Sequence, residues 1–306
     1  MKRIKLENGA LSAVIDLSRG ANCISLRDAD YGAKILREPP ENGVLDNPYL
    51  YGMPILFPVN RIEGGAFDFE GRRYSFPINE PQTGCHLHGE LHRTPFVPIE
   101  NTKSRLLCRF KATEDEPYLS FPHAFEIVME YELKESTFLH TVSVTNRSEQ
   151  NMPLMLGFHT TFHTAFAGGR AEDIRVYADI TEEYERDLAL NYLPTGKKPK
   201  FDAVSSALAE GKYAPFFAPT SRHYRGNGKM SITDLGKRRR LVYENDEKYT
   251  FRLIYNGGSE GYICLEPQNC LANCANSPFS REEAGFSYLR AGETKIFHSK
   301  IYIEEI

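Results

Sequence analysis

No tryptophan occurs among the 306 residues, so aromatic contacts must come from 19 Phe and 17 Tyr. There is no excess of positive charge: the formal net charge is −4. That argues against nucleic acid as the main partner, because phosphate binding requires a basic field. The one basic cluster, Lys237-Arg238-Arg239-Arg240, follows Gly236 between two strand-like runs and reads as a solvated hairpin. No apolar run approaches the ~18 residues that span a bilayer, so no membrane partner is expected. The opening Met1-Lys2-Arg3-Ile4-Lys5 is charged but has no apolar stretch behind it, unlike a secretory signal. Six cysteines without such a signal read as reduced thiols of a cytoplasmic protein. Cys264, Cys270 and Cys274 cluster without the tight pairs of a zinc knuckle.

Helical periodicity is scarce too. The best candidate is Ala203 to Glu210, stopped by Gly211, and without strand–helix alternation a parallel α/β sheet is not expected. What dominates is alternation with period two. Phe125, Ile127, Met129, Tyr131 and Leu133 alternate with mostly polar residues, and after the turn Lys134-Glu135-Ser136 a second run extends from Phe138 to Val144. This is a hairpin with one apolar face. Comparable strands are predicted at Leu241 to Tyr243, Tyr249 to Tyr255 and Lys295 to Ile303, with turns at Glu63-Gly64-Gly65, Glu70-Gly71-Arg72, Asn256-Gly257-Gly258 and Arg290-Ala291-Gly292. Tyr192 to Pro199 reads as a loop. With no obvious linker, repeat or low-complexity segment, the expectation is one all-β domain over residues 1–306, a large antiparallel sandwich with very few short helices.

Four segments could carry chemistry. In Ile263-Cys264-Leu265-Glu266-Pro267-Gln268 a carboxylate follows an apolar run. Pro267 cannot donate to a ladder, so the strand is predicted to stop there and leave Glu266 at a rim. Apolar neighbours would raise its pKa and make it a base near neutrality, although an ordinary surface carboxylate fits the local pattern as well. In Cys85-His86-Leu87-His88-Gly89-Glu90, an extended strand would put His86 and His88 on one face. They could bind a metal with Glu90, line a polar cleft, or be hydrogen-bonded structural residues. His159, at the end of Met155-Leu156-Gly157-Phe158, emerges at a strand end as either a structural residue or a catalyst. Arg61, before the turn Glu63-Gly64-Gly65, could bind sugar hydroxyls, bind a carboxylate, or form a salt bridge.

Taken together, the segments resemble the aldose 1-epimerase (galactose mutarotase) family. The carriers in chain order are Leu11-Ser12-Ala13-Val14-Ile15 with Gly20-Ala21, Asn60-Arg61-Ile62, the Gly71 to Tyr74 turn, Asn79, Leu87-His88-Gly89, Asn146 with Met152-Pro153, Gly157-Phe158-His159 and Leu265-Glu266-Pro267-Gln268. The likeness spans nearly the whole chain. It implies a β-supersandwich with a sugar-binding cleft, Glu266 as general base, His159 as general acid, and Arg61, His88, Asn60 and Gln268 as substrate-binding residues, with neither cofactor nor metal. Two departures stand out. Glu90 replaces a glycine usual after Leu-His-Gly, and Pro219 to Arg225 lacks the aspartate of an Asp-His pair that contacts sugar hydroxyls; Asp234 lies nearby in a strand-like run. The sugar is therefore left open. Arg61, Arg93, Arg222 and Arg225 make a phosphorylated hexose an alternative, and a non-catalytic sugar-binding protein on the same scaffold is a third reading.

Overall fold

The computed structural model describes residues 2–41, 43, 45–200, 221–256 and 261–306. The expected helix at 203–210 falls outside them. Within the described residues the chain is built of antiparallel strands, and its helices are three 3-10 turns of three residues each.

The hairpin read from alternation is the centre of an eight-stranded sheet. Its strands are Phe125–Lys134 and Thr137–Asn146, paired in continuous register from Phe125↔Asn146 to Lys134↔Thr137. Phe125, Ile127, Met129, Tyr131 and Leu133 are all buried, as the period of two requires. Thr294–Glu305 and Arg239–Asn245 extend this sheet, and Arg239 and Arg240 form ion pairs with Glu305 and Glu304. Four N-terminal strands from Arg3 to Lys34 form a separate sheet, tied in where the Tyr131 hydroxyl donates to the Ala21 carbonyl at 2.6 Å.

The other large sheet has seven strands. Its order is Glu182–Tyr184, Ser221–Arg225, Phe251–Tyr255, Tyr262–Gln268, Gly157–Phe158 and Ile55–Leu56, with Thr161–His163 also paired to Tyr262–Gln268. Its inner face meets the eight-stranded sheet: Phe162 lies against Tyr243 with ring centroids 5.4 Å apart, and Phe158 against His140 at 4.9 Å. Ile263, paired with Phe162, shares this face with Leu265. The alternation that sends these two inward turns Cys264, Glu266 and Gln268 to the opposite face.

One close approach fixes the edge of that opposite face. Gly89 has φ +62°, and a Cβ there would lie 1.8 Å from the Phe57 carbonyl oxygen. Only glycine lets the two backbones approach this closely. We expect Gly89→Ala to lower the unfolding free energy by roughly 1–3 kcal/mol, read as the urea midpoint; an unchanged midpoint would show that Phe57 yields freely.

Candidate active site

Glu266 is not at a rim. Its strand runs through Pro267 to Gln268, and Glu266 is fully buried between Phe251–Tyr255 on one side and the segment carrying His159 on the other. The proline is tolerated because of where its missing donor falls. The Leu265 and Asn269 N–H groups donate to Thr160 and Leu156 carbonyls, each at 2.9 Å. Pro267 lies midway between them on the same side, opposite the break between Gly157–Phe158 and Thr161–His163. A missing N–H at that break removes no regular ladder bond.

His159 occupies the break itself, its backbone N–H donating to the Pro54 carbonyl at 3.0 Å. Its Nε2 is 3.2 Å from Glu266 Oε1, yet the two are not aligned as a hydrogen bond. Glu266 Oε1 and His159 Nδ1 have no hydrogen-bond partner among the described residues. The other carboxylate oxygen is held. Gln268 Nε2 donates to Oε2 at 3.2 Å, and Asn60 Nδ2 donates to Gln268 Oε1 at 3.2 Å.

Asn60 also orients His88. The Asn60 N–H donates to His88 Nδ1 at 3.2 Å, and the His88 N–H returns to the Asn60 carbonyl at 3.0 Å. Because Nδ1 accepts, the ring proton of neutral His88 belongs on Nε2, the nitrogen left to donate to a ligand. Both residues have left-handed backbones, φ 62° and 63°. That conformation, with a strand that ends at Leu87, breaks the shared face expected of His86 and His88. His86 instead stacks on Phe76 at 5.0 Å and contacts the Pro77 carbonyl, while His88 lines the cleft. Asn79 braces the turn, accepting from the Leu87 N–H and donating to its carbonyl.

Arg61 lines the cleft, with its charge already matched: Nε and Nη2 each meet a Glu80 oxygen at 2.6 Å, and the Tyr192 ring lies 4.6 Å over its guanidinium. Arg93 pairs with Glu90, Arg222 with Glu183 and Arg225 with Glu182, and none of the three lines the cleft. Asp234 is buried in the eight-stranded sheet, accepting from the Lys237 N–H. In the segment lacking the aspartate, Ser221 reaches the cleft and His223 is buried. Among the described residues no three His, Cys, Asp or Glu side chains converge as a metal-ligand set, all six cysteines are buried without disulfides, and no helix is long and apolar enough to cross a membrane.

The cavity these groups enclose is about 310 Å³. Sequence reasoning missed several of its residues, among them Tyr49, Glu80, Arg186 and Tyr192. The Tyr49 ring lies 4.8 Å from that of His88 and stacks on His159 at 6.0 Å. Arg186 is buried, its Nε donating to the Tyr192 carbonyl at 2.8 Å and its Nη1 to Ser221 Oγ at 2.9 Å. Neither arginine nor tyrosine carries a local signal in a charged, turn-rich stretch; pairing of distant strands makes them cleft residues.

Burial governs the proton affinities. It pushes the Glu266 carboxyl up to about 8, against the opposing pull of Arg186, the Gln268 hydrogen bond and Arg61. It pushes His159 down to about 3, and His88 well below the usual imidazole range. Both shifts favour a proton on Glu266 and a neutral His159 near pH 7.

A protein-family model described as aldose 1-epimerase matches residues 2–301. Among solved structures, a galactose mutarotase-like protein from Clostridium acetobutylicum is 29% identical, covering 99% of this chain and 95% of its own, with a TM-score of 0.93. A putative aldose 1-epimerase from Escherichia coli K12 is 17% identical over 100% of this chain and 99% of its own, at TM-score 0.81. A galactose 1-epimerase from Lactobacillus acidophilus NCFM, 16% identical over 99% and 94%, gives 0.73; these last two share the fold.

The raised carboxyl has a stability consequence. Between the ordinary value of 4.5 and about 8, the folded chain holds a Glu266 proton that the unfolded chain releases. The contribution of this group thus declines as pH rises through that window; His159, lowered from 6.5 to about 3, acts with the opposite sign over its own window. Relative to the parent, Glu266→Gln should gain at least ~1.4 kcal/mol, one pKa unit, across the carboxyl window in urea unfolding. Parallel pH curves would mean that Glu266 titrates normally.

Proposed function

The chain belongs to the aldose 1-epimerase family, and on that premise we propose that it is a mutarotase interconverting the α and β anomers of a free aldose, with Glu266 as general base and His159 as general acid. One observation carries this reading: the two side chains touch at 3.2 Å, each with an unpartnered polar atom, in a cavity of about 310 Å³.

The chemistry needs two coupled proton transfers. A base removes the proton of the anomeric hydroxyl while an acid protonates the ring oxygen; the ring opens, the carbonyl carbon turns its other face, and closure reverses both transfers. Carboxylate with imidazolium, and carboxylic acid with neutral imidazole, contain the same number of protons. One proton therefore suffices for a full cycle: it enters the ring oxygen from His159 while the hydroxyl proton passes to Glu266, and both return on closure. Starting from the empty cleft, the proton on Glu266 must first pass to His159, a transfer within the pair that needs no exchange with bulk water.

The remaining cleft residues position the sugar. His88 Nε2–H, Asn60 and the Arg61–Glu80 pair offer donors and acceptors for hydroxyls, and Tyr49 offers an apolar ring face. Gln268, expected from sequence to bind substrate, lies buried behind Glu266 and Asn60 and does not line the cavity. Arg93, Arg222 and Arg225 are paired with carboxylates away from the cavity, which supports a free sugar over a phosphorylated one. The whole chain acts as one catalytic unit.

Polarimetry on freshly dissolved anomers of a sugar panel should show accelerated decay of rotation, with glucose compared against glucose 6-phosphate. Glu266→Gln and His159→Ala should each lower kcat by ~10²–10⁴. Activity should also fall above about pH 8, where the pair loses its proton. Full activity in both variants would overturn the assignment, saturable sugar binding without anomer exchange would favour a non-catalytic protein, and a rate dependent on phosphate would displace the free sugar.

A further inference from the structure

Arg61 and Arg186 both line the cleft, and their charges are handled differently. Arg61 is held in a fork with Glu80. The contacts of Arg186 are to a carbonyl and a hydroxyl, and among the described residues no carboxylate lies in ion-pair contact with it. We propose that Arg186 is a positioning residue, a fixed buried positive charge that sets the proton balance of the Glu266–His159 pair. The inference rests on the acid–base reading of that pair and adds to it a residue with no counterpart in the sequence argument.

The seat of Arg186 is rigid. The chain after it closes a turn in which Asp187 Oδ1 accepts from the Ala189 and Leu190 N–H groups, the Tyr192 N–H donates to the Asp187 carbonyl at 2.7 Å, and the Asp187 N–H donates to the Leu193 carbonyl at 2.9 Å. Tyr192, at φ 61°, presents its carbonyl to Arg186 and its ring to Arg61. The second anchor, Ser221 Oγ, stands on the neighbouring strand. Burial lowers the guanidinium pKa to about 9, so the charge held by these two anchors is present in the cleft at pH 7.

Among the described residues, the other groups around Glu266 set no negative charge against that field. His159, His88 and Tyr49 are neutral at pH 7, burial holding the imidazoles low and the phenol up at about 12. Tyr255 on the neighbouring strand is likewise a neutral phenol, and Cys264 on the same strand a neutral thiol. Arg61, paired with Glu80, adds a smaller pull of the same sign. The influence of Arg186 is mutual: after burial it is the largest effect on Glu266, pulling the carboxyl down, while Glu266 is the largest effect holding the Arg186 charge in place against burial and Arg61. Without Arg186, every proton on the pair would be held more tightly.

The test is Arg186→Met and Arg186→Gln, with Arg186→Lys as the charge-retaining control. Two readouts are followed against pH in the full-length protein: the polarimetric rate, and the ¹⁵N shifts of the His159 ring, assigned by their absence in His159→Ala. In Met and Gln the limbs of the rate profile and the NMR midpoint should move to higher pH by about one unit, tenfold in proton affinity, and Lys should restore them. The Gln variant retains a donor for the Tyr192 carbonyl and carries the test if Met does not fold. Unmoved midpoints in both variants would overturn the proposal, as would a uniform loss of rate with unmoved limbs, which marks a merely structural role. If the wild type turns over no sugar, the mutarotase reading fails by itself and the NMR midpoints still decide the role of Arg186.

Discussion

A carboxylate buried in the middle of a sheet is the constraint around which this molecule is organised. Desolvating a carboxylate costs several kcal/mol even after local relaxation, so Glu266 survives there only with compensation or with a proton. The structure supplies both. Gln268 holds one oxygen, Arg186 and Arg61 contribute positive potential, and burial still wins, leaving the carboxyl protonated near neutrality. The second oxygen stays unpartnered against His159. That incomplete satisfaction is costly, and on the proposed function a sugar hydroxyl supplies the missing partner.

Several of the scaffold's irregularities gather around this carboxylate. The ladder beside Glu266 breaks where His159 enters, and Pro267 sits opposite the same break, so that defect and proline accommodate one another. Asn60 and His88 both adopt left-handed backbones and exchange hydrogen bonds with each other. Gly89 then presses against the Phe57 carbonyl. Regular sheet surrounds these positions on both sides. Strained backbone at the cleft, supported by regular ladder, is one way a fold holds polar groups in one arrangement.

Period two made the sheets legible. The hairpin from Phe125 to Asn146 could be read almost residue by residue, since its buried positions alternate from Ile127 to Leu133 and from Phe138 to Val144. The ordered segments also pointed to Glu266, His159, His88, Asn60, Arg61 and Gln268, and all six lie in one connected cluster. What local pattern could not give was depth and pairing. Pro267 looked like a strand end because the identity of its neighbouring strands was unknown, and depth depends on those neighbours. His86 and His88 looked equivalent because a left-handed φ at His88 leaves no mark in an extended pattern. Arg186 and Glu80 become cleft residues only through contacts far along the chain, so no spacing rule reaches them.

The central claim is that one mobile proton resides on Glu266 in the empty cleft and is handed to and fro with His159. Infrared difference spectroscopy tests it most directly, comparing wild type with Glu266→Gln at pH 7 and following the band with pH. The account predicts a protonated-carboxyl C=O stretch that is absent from the variant and disappears as pH rises through about 8. A wild-type spectrum with no such band at pH 7, showing Glu266 already ionised, would contradict it.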